Sequence, residues 1–426
     1  MVSLRTAAIE VLEENRMAGF TRPARGLYPH QWSWDSGFIA IGLRRIAPAR
    51  ARDELLTLLR GQWRDGRIPQ IVYTAGADDR YQPGADFWGD AGRELGAAAA
   101  TAGFVQPPIH GIAALLVARA DPEHAPAFLE RVYPALAAWH DYLSERRARD
   151  GALAEIVHPW ESGTDNTPLW DAALERIPRD AATEIRRPDL QHADAGERPG
   201  RKDYERYFWI AEHYRDRGCR DDDALPFRMV DPAFNALWAL SEHALARIAA
   251  LLGRPVAAHE ERAERIAAAL DELFLDALGC YTAYDAIAGV LVERATASGL
   301  VPLVLPGLGR AERLVTTLTG PRFLDGARLV PSYDRTAADH LPGQYWRGPA
   351  WFNVNWMLAT GLRDAGRGDV ASGLERAMVE AAAAGDFPEY VDPVTLAPHG
   401  TRRFGWTSAL VLDALAGGTS FREALA

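Results

Sequence analysis

Apolar residues recur at spacings of three and four along most of this chain, and strict period-two alternation is scarce. Phe128, Val132, Leu136, Trp139 and Leu143 form one such stripe; Phe234, Leu237, Trp238, Leu245 and Ile248 form another. The pattern predicts helices over the N-terminal segment to about residue 16, over 38–46 and 52–63, and from Gln106 onward. It continues with 207–217, 231–252, 257–277, 300–305, 310–318, a helix reaching Leu362, 373–384 and 407–415. Only 153–157, 279–284 and 289–292 read as short hairpin strands. Roughly twelve to fifteen helices in one run suit two concentric rings, an all-α toroid formed as a single domain over 1–426. An α-solenoid is the alternative. The loops here are too long and too rich in aromatics and charges for solenoid turns.

Two of those loops, 74–90 and 178–203, are expected to reach over the mouth of such a toroid. Hydrophobic residues make up 48% of the chain, enough for a large core. A net charge of −11 without a long basic run excludes a phosphate-tracking surface for nucleic acid. Cys219 and Cys280 have no metal-type spacing and are expected to be buried thiols. Lys202 is the only lysine, a compositional bias that carries no functional argument. The N-terminus is charged throughout, and the most apolar run, 298–308, is short and interrupted by Pro302 and Pro306. A soluble cytoplasmic protein is expected, with no membrane partner. Nothing in the sequence specifies an oligomer, although symmetric dimers are the commonest kind.

The chemistry gathers in loops. Trp32, Trp34, Trp88, Trp160, Trp170, Trp346, Trp351, Trp356 and Trp406 lie in or beside loop motifs, where flat rings can stack on a sugar. The stretch His158-Pro159-Trp160-Glu161-Ser162-Gly163-Thr164-Asp165-Asn166-Thr167-Pro168 places two carboxylates four residues apart beside a Trp. Its plainer reading is a helix cap, with Thr167 capping a helix that starts at Pro168. Phe387-Pro388-Glu389-Tyr390 puts a second acid at a break between helices, and Asp35 either binds a hydroxyl or caps a helix. A glycosidase needs two carboxylates flanking the scissile bond, one protonated. No H-x-x-x-H or H-E-x-x-H pair, phosphate loop or nucleophile triad is present, so neither a metal nor a cofactor is expected. His30, His110, His158 and His399 read as hydrogen-bonding loop residues.

Four motifs occur in one order: Tyr28-Pro29-His30-Gln31-Trp32-Ser33-Trp34-Asp35-Ser36, the 158–168 stretch, Gly343-Gln344-Tyr345-Trp346-Arg347-Gly348-Pro349, and Phe387-Pro388-Glu389-Tyr390. Together they resemble glycoside hydrolase family 63, in particular its bacterial branch of mannosylglycerate and glucosylglycerate hydrolases. The resemblance implies an (α/α)6 barrel and an inverting α-glycosidase, with Asp165 as general acid and Glu389 as general base. Inversion implies roughly 6.5–9.5 Å between their carboxyl groups, and Glu161 is a candidate neighbour for raising the acid's pKa. The resemblance also places Tyr28, Gln31, Trp32, Trp34, Asp35, Trp160, Trp346 and Trp351 at the sugar. Arg198, Tyr204 and Tyr345 match the positions that hold glycerate. Thr164 stands where a larger residue such as Met is expected. The implied substrate is a small anionic glycoside, 2-O-α-mannosyl- or 2-O-α-glucosylglycerate. Rivals are a trehalase-like α-glucosidase, a sugar epimerase or isomerase on the same toroid, and a non-catalytic sugar-binding protein.

Overall fold

The computed structural model describes residues 3–77, 81–148, 152–191 and 193–426. Inner and outer helices alternate along the chain. The inner set is Ser33–Leu43, His110–Ala120, Pro232–Leu251, the 3-10 turn Val301–Val304, Phe352–Asp364 and Gly405–Leu415. Each packs on the next in that order, and Gly405–Leu415 returns to Ser33–Leu43, closing a ring. These segments are apolar or small nearly all round; every residue of 33–43 is buried. The outer set is Leu4–Glu14, Pro48–Leu59, Ala125–Tyr142, Ala257–Leu270, Ala311–Thr319 and Gly368–Gly385. These helices are striped: Leu314, Val315 and Leu318 are the buried positions of 311–319. The architecture is an (α/α)6 barrel.

Glycine closes the ring. A Cβ at Gly42 would run into the Ala409 backbone, and one at Gly361 would meet the Leu303 carbonyl. Both inner contacts therefore need a residue with no side chain. The fourth inner position departs from the expected helix over 300–305. Pro302 opens a 3-10 turn there, and the residue before Pro306 turns extended. The expected 257–277 helix stops at Leu270, whereas the one expected from 373 starts at Gly368.

Short strands sit at the starts of the inner helices. Gln31–Trp32 pairs with Ile71–Val72 and leads directly into 33–43. Met229–Val230 precedes 232–251 and pairs with Glu155–Ile156 and Tyr284–Asp285, which in turn pairs with Val290–Leu291. Ala350–Trp351 precedes 352–364 and pairs with Tyr390–Val391, itself paired with Pro398–His399. The expected strand over 279–284 is split in two: Cys280–Tyr281 pairs with Phe274–Leu275, and Tyr284–Asp285 pairs with Val290–Leu291. The pairs pin the loops to the rim, so the rim at the helix N-termini is where side chains from distant motifs meet.

Candidate active site

A cleft open to solvent at its mouth lies at this rim. Tyr28, Trp32, Trp34, Asp35, Trp160, Asp165, Arg198, Tyr204, Tyr345, Trp346, Trp351 and Glu389 all line it. Side chains from motifs spread over most of the chain are thus brought to one cavity.

Asp165 sits on a tight loop. Gly163 enters it with φ 72°, against the Trp34 ring. Three clamps hold the loop: the Tyr207 hydroxyl donates to the Asp165 carbonyl (2.9 Å), the Trp346 N–H to Asn166 Oδ1 (2.9 Å), and Trp170 Nε1 to the Thr164 carbonyl (3.2 Å). The expected helix cap is not formed. Thr167 makes no side-chain capping bond; its N–H closes on the Thr164 carbonyl (3.0 Å), and Pro168–Trp170 is a 3-10 turn. The tight turn takes up the backbone geometry that a cap would have used. Burial pushes the Asp165 carboxyl up to about 7, with Arg198 opposing and Glu389 adding to the rise.

Glu389 faces the same cleft from the start of Tyr390–Val391. Two consecutive left-handed residues, Asp386 (φ 54°) and Phe387 (φ 53°), turn the chain into it, a conformation non-glycine residues adopt only under constraint. Its carboxylate accepts from Tyr28 Oη (2.9 Å), Arg198 Nη2 (3.0 Å) and the Thr401 N–H (3.2 Å). Arg198 is 3% exposed and lies over the Tyr345 ring at 4.7 Å. Tyr204 donates to Asp189 (3.3 Å) under the Arg187 guanidinium.

Several polar atoms on cleft-lining residues are buried without a partner: Asp35 Oδ1, Trp34 Nε1, Trp406 Nε1 and Arg198 Nε. Such atoms are costly unless a ligand or water meets them. Asp35 lies in the first turn of 33–43, and burial followed by the charge of Glu389 holds its carboxyl well above the usual carboxylate range. Stacked rings make a flat wall: Trp346 lies on Trp351 at 3.9 Å, and Trp351 on Tyr390 at 4.5 Å.

Two expected site residues lie elsewhere. Gln31 is not on the cleft. Its amide Nε2 donates to Ser36 Oγ (3.0 Å) and to the Glu54 carbonyl (2.9 Å), bridging the helices 33–43 and 48–59. In a two-residue strand, Gln31 and Trp32 face opposite sides, and Trp32 takes the cleft. Glu161 is not beside Asp165. It accepts from Arg147 Nη1 (2.7 Å) and Nη2 (2.8 Å) and from the backbone N–H groups of Val105 and Val157. Burial and Glu389, not Glu161, raise the acid. His158 is neutral at physiological pH, lowered to about 3 by burial, and bonds the Tyr207 carbonyl and the Trp160 N–H.

The cleft also has lining residues the motifs did not single out: Gln70, Gln82, Gln106, Arg186, Asp189 and Phe404. Gln106 had a usable signal, since it precedes Pro107-Pro108 at a helix start; its Oε1 accepts from the Trp34 N–H (3.0 Å). Gln82 links the two long loops, donating to the Glu184 carbonyl and accepting from the Arg186 N–H. Among the described residues, no group of three or more His, Cys, Asp or Glu side chains is placed to hold a metal ion. No helix is long and apolar enough to cross a membrane, among those residues.

Residues 28–407 match a family model described as the mannosylglycerate hydrolase MGH1-like glycoside hydrolase domain. A mannosylglycerate hydrolase of Rubrobacter radiotolerans is 38% identical over 419 residues, 95% of this chain and 94% of that protein. A glucosylglycerate hydrolase of Mycolicibacterium hassiacum is 35% identical over 435 residues, 96% of this chain and 97% of that protein. The crystal structure of the family 63 mannosylglycerate hydrolase from Thermus thermophilus in complex with Tris and D-glycerate is similar, with a TM-score of 0.90 at 37% identity. The match covers 96% of this chain and 99% of that one.

Proposed function

This chain belongs to the MGH1-like glycoside hydrolases of family 63, and from that premise we propose that it cleaves 2-O-α-mannosyl- or 2-O-α-glucosyl-D-glycerate with inversion, using Asp165 as acid and Glu389 as base. One observation carries the reading. Two carboxylates line one cleft, and Asp165 holds its proton up to about pH 7 while Glu389 is oriented by Tyr28, Arg198 and the Thr401 N–H.

In the proposed reaction, Asp165 gives its proton to the glycosidic oxygen as the C–O bond breaks. Glu389 takes a proton from a water that attacks the anomeric carbon on the opposite face. The products are the β-hexose and glycerate. The Trp346–Trp351 wall and Trp34 stack on the sugar, and Asp35 accepts from its hydroxyls. The glycerate carboxylate lies against Arg198, whose unpartnered Nε is a donor left over from its pairing with Glu389. Tyr204 and Tyr345 complete that end of the cleft.

The test is hexose release from a panel of α-glycosides containing both glycosylglycerates, with Asp165→Asn and Glu389→Gln. Each variant is expected to lose at least about a thousandfold in kcat. Near-parent turnover by both would remove the assignment. Release from trehalose but from neither glycosylglycerate would favour the trehalase-like alternative.

A further inference from the structure

Arg198 reaches Glu389 from a loop, and the residue before it shows what holds that loop in place. The 3-10 turn Ala195–Glu197 ends beside the hairpin formed by Tyr390–Val391 and Pro398–His399. Glu197 Oε1 lies 2.6 Å from His399 Nδ1, and its Oε2 accepts from the Gly400 N–H at 2.9 Å. The Glu197 carbonyl accepts from the Tyr390 hydroxyl at 2.9 Å. One residue of the loop is thus gripped three times by the hairpin that presents Glu389.

The grip lies directly behind Glu389. Tyr390 follows Glu389 in sequence and pairs with His399 across the hairpin. The Glu389 N–H donates to the Thr401 carbonyl (2.9 Å), and the Thr401 N–H returns to Glu389 Oε2. A Cβ on Gly400 would come within 2.6 Å of that oxygen. Glu197 and His399 are about one-fifth exposed, so the pair is shielded but within reach of solvent protons. Desolvation raises the Glu197 carboxyl, but its bonds from His399 and Gly400 outweigh that and hold it below the usual range. The charged groups acting on this pair are Arg402, which acts on Glu197, and Asp392, on which His399 acts. Gly343 brings an uncharged edge against the His399 ring.

We propose that Glu197 and His399 form a hydrogen-bonded clasp that seats the Arg198-bearing segment on the hairpin of Glu389, positioning Arg198 and so setting the affinity for an anionic substrate. The inference rests on Glu389 and Arg198 as parts of the site proposed above. Neither clasp residue lines the cleft; both are positioning residues.

Two readouts on the full chain test the clasp. The first is hydrogen–deuterium exchange of the segment 195–200, which needs no substrate. The parent is expected to be protected there. Glu197→Gln and His399→Gln are expected to lose that protection, and His399→Lys, which supplies a cation opposite Glu197, to retain it. The second is KM for glucosylglycerate and mannosylglycerate: Glu197→Gln is expected to raise it about tenfold, with a smaller change in kcat. Parent-like exchange and KM in Glu197→Gln would overturn the clasp. Exchange that responds as expected in a protein that cleaves neither glycosylglycerate would leave the clasp standing and remove the substrate assignment instead.

Discussion

The proton on Asp165 carries much of the proposed chemistry. The carboxyl is pushed up to about 7, chiefly by burial. A general acid must be protonated to act, so kcat/KM is expected to fall as pH rises through about 7, and a pH–rate profile checks this. The same shift has a stability consequence. An acid whose folded pKa lies above its ordinary value binds a proton more tightly in the native state, so between the two values stability falls as pH rises. Asp165→Asn is therefore expected to be more stable than the parent near pH 8 by up to about 4 kcal/mol, with the gain vanishing near pH 4. Thermal unfolding at the two pH values measures it. Asp165 and Glu389 stood out in the sequence as candidates because each sits in a distinctive loop motif, and both line the cleft. The facing of Gln31 and Glu161 was not legible. A two-residue strand and a 3-10 turn have no periodicity from which to read a side, and the side is chosen by the partners Glu54 and Arg147.

At the scale of elements, the loop that carries the acid is backed by a buried ionic network. Glu161 pairs with Arg147, and Arg147 Nε lies 3.0 Å from Asp221, which also receives the hydroxyls of Tyr142 and Tyr214. All three charged side chains are at most 2% exposed. Removing one partner leaves a buried charge alone, so Arg147→Met is expected to cost about 3–5 kcal/mol in chemical denaturation. Adding Glu161→Gln is expected to recover part of that loss. Helix positions were legible because stripes such as Phe128–Leu136 continue over several turns. The two-residue strands that pin the rim were not, apart from those the apolar runs near 153, 280 and 290 suggested. Their pairing depends on segments far apart in sequence, such as Gln31 with Val72.

At the scale of the whole molecule, six inner segments close on themselves through the contact of 405–415 with 33–43. That contact spans nearly the full chain, so helix periodicity could suggest a toroid but could not show that the ring shuts. Gly42 marks the place. Gly42→Val, which must push against the Ala409 backbone, is expected to destabilise the chain by about 2 kcal/mol or more, a loss that denaturant unfolding would register. Ring closure also gives the site its geometry: motifs from residue 28 to residue 406 reach one rim, where the two carboxylates face a common cleft. The measurement that tests the proposed inversion most directly is proton NMR of freshly formed hexose during cleavage of glucosylglycerate or mannosylglycerate. The β-anomer is expected to appear first, together with one glycerate per sugar. An α-anomer formed first would contradict the assignment of Asp165 and Glu389 as an inverting pair.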